Sequence, residues 1–181
     1  YVVTAAMDCN HIQETWVSTN CPYIKDVALS LGCKVLDRPE NISTDTSQSE
    51  EALLHFVENV ECDRLVFIQP TSPLLMAKDL NKGFSLLKEG YDSVFSVRLD
   101  HWEPKWTPAV TPDGWDIDNR PRSQDVEVRY IENGAFYITS TKLLETTKRR
   151  YGGKMGFVEM PSYRSFQIDT EEDFRLVETL L

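Results

Sequence analysis

Short runs rich in β-branched and aromatic residues recur along this chain, and stretches with helical periodicity lie between them. That alternation predicts an α/β fold built on a largely parallel sheet flanked by helices. The predicted strands are Thr15 to Ser18, Lys34 to Leu36, Arg64 to Ile68, Ser93 to Val97, Ala135 to Thr139 and Gly156 to Met160. Pro22 to Leu31, Ser47 to Val60 and Ala77 to Glu89 read as helices between them. The second of these carries the clearest signal, with Ala52, Leu53, Phe56, Val57 and Val60 on one face and capping-box spacing between Ser47 and Glu50. Gly90 closes the third as a C-terminal cap. Tyr1 to Met7 has the pattern of an amphipathic helix already under way, and Thr170 to Leu181 returns to helix with Phe174, Val177 and Leu181 on one face.

A length of 181 residues with 41% hydrophobic side chains suits one globular domain spanning the whole chain, 1–181. The net charge of -10 and the lack of any basic stripe argue against nucleic acid as a partner. An anionic small substrate would then need local positive charge. No apolar run is long enough to cross a bilayer, so no membrane partner is expected. Cys9, Cys21, Cys33 and Cys62 have neither zinc-site spacing nor the density of a disulfide scaffold, and read as reduced thiols of an intracellular protein. His11, His55 and His101 have no partner at catalytic spacing.

Between about Asp100 and Asn133 the rhythm stops. This stretch holds Trp102, Trp106 and Trp115 together with four prolines. So long an irregular segment in a compact domain predicts a binding role or an extension that packs on a partner.

Four polar islands fall where strands end or helices begin, the places where open α/β sheets take their ligands. Arg38-Pro39-Glu40 and Asp45 to Ser49 lead into a helix N-terminus, which suits an anion, although taken alone Ser47 and Ser49 read more simply as ordinary caps. Gln69, between a buried strand and Pro70, is either held rigidly at the sheet edge or simply solvent-facing. Arg120 and Arg122 have the planar fork that grips carboxylate and phosphate, or are surface ion-pair partners. Gln167 and Asp169 alternate along one side of a strand end, within reach of a hard cation such as Mg2+, or Asp169 serves only to cap the last helix.

In order and spacing these islands resemble the acylneuraminate cytidylyltransferases, the CMP-sialic acid synthetases, and in particular their animal branch. The resemblance is carried by Trp16 to Asn20, Arg38 to Ser49, Gln69 to Pro73, Gly90 to Val97, Arg120 to Asp125, Glu132 to Tyr137 and Gly153 to Met155. It implies a doubly wound, nucleotide-diphospho-sugar transferase-like domain with a protruding dimerisation segment at 100–133. It also implies magnesium-assisted transfer of CMP from CTP to the anomeric hydroxyl of sialic acid, with pyrophosphate released by a homodimer. By position, Arg38, Ser47 and Ser49 match nucleotide contacts, and Gln69 matches a glutamine that touches the substrates. Arg122 matches the catalytic arginine, Lys105 falls near a lysine of the protruding segment, Tyr137 near the sugar pocket, and Asp169 on a metal-binding aspartate.

Two departures stand out. The family's opening strand and its glycine- and lysine-containing phosphate loop have no counterpart before Tyr1, so turnover by the chain as it stands is not expected. Gln167 replaces the first aspartate of the metal pair, and a neutral oxygen there leaves magnesium to Asp169 and the substrates. A synthetase, an enzyme of the same mechanism for another 2-keto sugar acid, and a catalytically silent binding protein are the readings that compete. The resemblance leaves the compartment open between nucleus and cytoplasm, with the Golgi not excluded.

Overall fold

The computed structural model describes residues 1–181 as an α/β structure. The chain enters through helix α1 (Val2–Met7), strand β1 (Trp16–Thr19), helix α2 (Pro22–Ser30) and strand β2 (Lys34–Asp37). Pro22 at the first helical position starts α2 where a missing N–H costs nothing. β1 and β2 pair in parallel, with Val17 beside Val35. Helix α3 (Ser49–Asn59), strand β3 (Arg64–Ile68), helix α4 (Ala77–Lys88) and strand β4 (Ser93–Asp100) follow. Two short strands, β5 (Lys105–Trp106) and β6 (Pro112–Asp113), precede the long strand β7 (Arg129–Ser140). Helix α5 (Thr141–Thr147), strand β8 (Met155–Glu159) and helix α6 (Glu171–Glu178) complete the chain.

The main sheet has the order β3-β7-β4-β8. β3, β4 and β8 run in one direction, and β7 lies antiparallel between β3 and β4. The sheet is therefore mixed but mostly parallel, and helices cover both of its faces. On one face Leu80 and Leu87 of α4, with Ala5 of α1, pack on Val94, Phe136, Ile138 and Val158. Gly83 lets α4 approach closely, since a Cβ there would stand 2.7 Å from Ile138 Cδ1. On the other face Leu53 of α3 and Leu144 of α5 close over Leu65 and Phe67. Alternation along the strands produces this division, because neighbouring residues point to opposite faces.

A row of aromatic side chains crosses the second face, with Phe67 beside Tyr137, Tyr137 beside Phe95, and Phe95 beside Phe157 in the strand register. Arg150 and Tyr151 lie over it. The Arg150 guanidinium is 5.4 Å from the Phe67 ring centre and 5.0 Å from that of Tyr137, within cation–π range.

Several boundaries differ from the sequence reading. α3 starts at Ser49 rather than Ser47, and its cap is Gln48, whose N–H donates to Glu51 at 2.7 Å. The capping box is thus Gln48 with Glu51, one residue beyond Ser47 with Glu50. The hydroxyl of Ser47 turns back into the preceding loop, where Thr44 N–H donates to it at 3.1 Å. α6 buries Val177 as predicted, but Phe174 and Leu181 are about half exposed. The stretch read as irregular from Asp100 to Asn133 is framed by strands, since β4 runs to Asp100 and β7 begins at Arg129.

No residue from 101 to 132 is buried. The tryptophans of this segment cover one another. Trp115 meets Trp106 edge-on at 5.0 Å and Trp102 at 6.5 Å, and its indole N–H donates to the Lys105 carbonyl at 2.8 Å. No helix of the protein is long and apolar enough to cross a membrane. All four cysteines are free thiols, with Cys9 and Cys33 buried.

Candidate functional site

Two of the four polar islands, those of Gln69 and Gln167, meet with Asn133 of β7 around one side chain, Gln167. Its amide nitrogen donates to Gln69 Oε1 at 3.1 Å, to Ser72 Oγ at 3.3 Å and to the Asn133 carbonyl at 2.5 Å. The backbone carbonyl of Asn133 can only accept, so it fixes which end of the Gln167 amide faces inward. Further bonds stitch the same loops together. Gln69 N–H donates to the Ala135 carbonyl at 3.3 Å and Ile168 N–H to the Thr71 carbonyl at 2.9 Å. Asn133 Nδ2 donates to Ser165 Oγ at 3.0 Å. Gln69 is therefore not solvent-facing; it is held at the carboxyl end of β3, against β7.

Gly134 makes the junction possible. Its φ of +70° lies in the left-handed region, and a Cβ at this position would come within 2.6 Å of Gln69 Oε1. Both amides end in flexible side chains, so they would swing aside and give up their mutual hydrogen bond. Gly134→Ala is expected to cost about 1–3 kcal/mol from backbone strain and the lost bond. Urea unfolding gives the cost, and side-chain amide shifts of Gln69 and Gln167 in NMR spectra report the displacement. Unchanged shifts would show that the glycine is dispensable.

Beside the junction opens a cleft of ≈ 540 Å³. β7 contributes Glu132, Gly134 and Tyr137 to its wall, β4 contributes Arg98, the turn between β8 and α6 contributes Phe166, Gln167 and Asp169, and the first turn of α6 contributes Asp173. The Tyr137 hydroxyl donates to the Glu132 carboxylate. Burial, and then the Glu132 charge, push the Tyr137 pKa far up, so the phenol stays protonated. Asp173 accepts from the N–H of Thr170 at 2.8 Å and caps α6. The hydrogen bond from Thr170 holds its carboxyl below the usual range.

A charged link joins this cleft to the start of α3. Arg150 donates twice to Glu50 in the first turn of that helix, at 2.7 and 2.8 Å, and lies over Tyr137. Hydrogen bonding from Arg150 keeps the Glu50 carboxyl below its ordinary pKa. From the sequence Glu50 reads only as the capping-box partner of Ser47, and Arg150, a loop arginine, carries no local motif.

The structure distributes the sequence candidates unevenly. Tyr137 and Asp169 line the cleft, and Gln69 touches it through Gln167. Arg38 leaves the end of β2 and donates to Ser43 Oγ at 3.1 Å, while Ser47 and Ser49 stand at the entry to α3. Lys105 is exposed in β5. Arg122 is exposed and pairs through both prongs with Asp125, at 2.6 and 2.9 Å. Neither lines the cleft of its own chain. As a metal site the donor set is sparse: no three His, Cys, Asp or Glu side chains gather, and Gln167 turns its nitrogen into the junction. Asp169 is the one carboxylate at the predicted metal position. A magnesium ion that takes most of its ligands from phosphates and water fits such a set, whereas a cage made wholly of protein does not.

A mixed, mostly parallel sheet with helices on both faces and a cleft beyond the end of β3 defines a nucleotidyltransferase-like fold. The structure of CMP:2-keto-3-deoxy-manno-octonic acid synthetase complexed with CTP superposes with a TM-score of 0.71 at 12% identity, covering 99% of this chain and 85% of that one. The chain belongs to the cytidylyltransferase family, whose sequence profile matches residues 1–180. It is similar to N-acylneuraminate cytidylyltransferase A of Danio rerio, 37% identical over 186 residues, which are 98% of this chain and 43% of that protein. The chain therefore spans less than half the length of this relative. It is also 27% identical to CMP-N,N'-diacetyllegionaminic acid synthase of Legionella pneumophila, covering 100% of this chain and 83% of that one.

Proposed function

We propose that the chain is the core of an enzyme that transfers CMP from CTP to the anomeric hydroxyl of an N-acylneuraminic acid. The observation that carries this reading is the meeting of Gln69, Gln167 and Asn133 beside a cleft lined by Tyr137 and Asp169, in a chain whose relatives bear that name. In the reaction the sugar hydroxyl oxygen forms a bond to the α-phosphorus as the bond to the leaving pyrophosphate breaks, and the hydroxyl proton is lost. Ser47, Ser49 and Arg38 bind the nucleotide where α3 begins, and the N–H groups of the first turn favour its negative charge. Gln69, immobilised by Gln167, orients the two substrates. Tyr137, kept protonated and donating to Glu132, offers its phenol oxygen as an acceptor to a sugar hydroxyl in the cleft. Asp169 would hold a magnesium ion, which would supply neutralisation of phosphate charge.

The exposed segment at 100–133 is the dimer contact in this reading, supported by Trp106, Val110, Ile117 and Val128, apolar side chains left open to solvent. Through it Lys105 and Arg122 enter the partner subunit's cleft. Free thiols fit an intracellular compartment. Transfer to a different 2-keto sugar acid is a second reading, favoured by the extent of the match to the Legionella relative.

The deciding measurement is pyrophosphate release from CTP by the full-length product of the gene, with N-acetylneuraminic and legionaminic acids offered in turn. CMP-sugar formed fastest from the first acid supports the main reading. Preference for legionaminic acid selects the second, and no release with either acid removes both.

A further inference from the structure

We propose that Arg98 binds the carboxylate of the sugar acid and sets the preference of this cleft for an anionic polyol. The inference rests on the reading of the cleft as a sugar site and adds a residue that neither the motifs nor the resemblance mark. Arg98 is the only cationic side chain among those lining the cleft, and it shares the wall with three carboxylates, Glu132, Asp169 and Asp173. Two of these are already occupied, Glu132 by the Tyr137 hydroxyl and Asp173 by the cap of α6.

Arg98 itself is not occupied. It takes part in none of the protein's six ion pairs. Its one hydrogen bond runs from Nη1 to the carbonyl of its neighbour Leu99, at the limiting distance of 3.5 Å. Arg122, Arg150 and Arg164, by contrast, each donate twice to a carboxylate. Arg98 stands half-buried on β4 opposite Ile131 of β7, so a strand rather than a loop positions it. A guanidinium carries five N–H donors in a planar fork that matches a carboxylate. Left half-buried with most of those donors unused, it is prepared for an external acceptor.

The rest of the lining says which acceptor. Apart from Asp169, assigned to magnesium, the wall that Arg98 shares still holds the carboxylates of Glu132 and Asp173, which disfavour a second polyanion beside them. They suit a ligand with one anionic group and many hydroxyls, because ionised carboxylates only accept hydrogen bonds and sugar hydroxyls donate them. A sugar acid has that pattern: its carboxylate goes to Arg98 and its hydroxyls to the acidic wall.

The test measures binding to the full-length product of the gene by calorimetry, with CMP present, using N-acetylneuraminic acid and its uncharged methyl ester as probes. The native chain is expected to bind the acid more tightly than the ester. Arg98→Gln should weaken binding of the acid about 10- to 100-fold, as loss of hydrogen bonds to a charged group does, and should bind acid and ester alike. Arg98→Lys should keep part of the preference for the acid, since it retains charge without the fork. CMP affinity and the circular dichroism melting curve serve as controls for folding and should not move. Equal affinity of the native chain and Arg98→Gln for the acid overturns the role of Arg98 and leaves the sugar reading intact. A native chain that binds CMP but neither sugar probe overturns both.

Discussion

Asp79→Ala is expected to remove about 3–5 kcal/mol of stability, the cost of leaving a buried charge without its partner. Asp79 is 0% exposed and Arg164 3%, and their side chains join at 2.5 and 2.9 Å in a two-pronged pair. Arg164 also donates to the Leu74 carbonyl, while its Nε has no partner at all. The pair clamps the turn that follows β8 onto the start of α4, and Asp79 additionally accepts from Met76 N–H at 3.2 Å, capping that helix. Truncation therefore orphans a guanidinium and a helix terminus together. For a domain of this size the melting temperature should fall on the order of 10 °C. The double replacement Asp79→Leu with Arg164→Met should be far milder than Asp79→Ala alone, because it removes both charges and leaves mainly the lost cap, about 1 kcal/mol. Urea titrations followed by circular dichroism measure both. If the single and double variants lose the same stability, the ion pair is not what holds the turn.

Arg122→Ala is expected to lower turnover by about 10²–10³-fold in the full-length enzyme, the usual cost of removing one group that stabilises developing charge. CTP binding should change little, since the charge that Arg122 meets appears as the bond to pyrophosphate breaks. In the single chain Arg122 is 71% exposed and held by Asp125, so in the proposed dimer it would exchange that partner for a phosphate in the neighbouring subunit's cleft. Arg122→Lys should recover little, because an ammonium keeps the charge without the paired hydrogen bonds. Mixing Arg122→Ala chains with Gln69→Ala chains should restore activity in heterodimers, each of which assembles one intact cleft. Unchanged pyrophosphate release by Arg122→Ala at saturating substrates would leave Arg122 as a surface ion pair with Asp125, a contact worth little.

Strand and helix identities were legible because Arg64 to Ile68 and Ser93 to Val97 carry strong local signals. The direction of β7 was not. An antiparallel strand placed between two parallel ones is decided by pairing between residues far apart in sequence, and its first half hides behind charged and polar residues such as Arg129 and Glu132, the second of which lines the cleft. α5 escaped notice because Thr141 to Thr147 is threonine-rich; it forms through the Ser140 cap, which accepts from Leu143 N–H, and the burial of Leu144. In the site, Gln69 and Asp169 were legible from their places at the ends of elements, whereas Tyr137, inside β7, was marked only by the family resemblance. Arg98 was not, since an arginine inside a β-rich run looks like any solvent-facing strand residue. What Gln167 does was equally hidden, because a glutamine at a presumed ligand position does not announce which end of its amide points inward.

Three of the four tryptophans, Trp102, Trp106 and Trp115, sit in the segment from 101 to 128, packed edge-on with one another, and only Trp16 lies elsewhere, against Phe56 of α3. The intrinsic fluorescence of this protein is thereby weighted toward its arm and away from its sheet. Quenching by acrylamide or an emission shift will follow whatever covers or uncovers that segment, even while the sheet stays folded. Replacing Trp16 with phenylalanine would give an optical probe that sees only the arm.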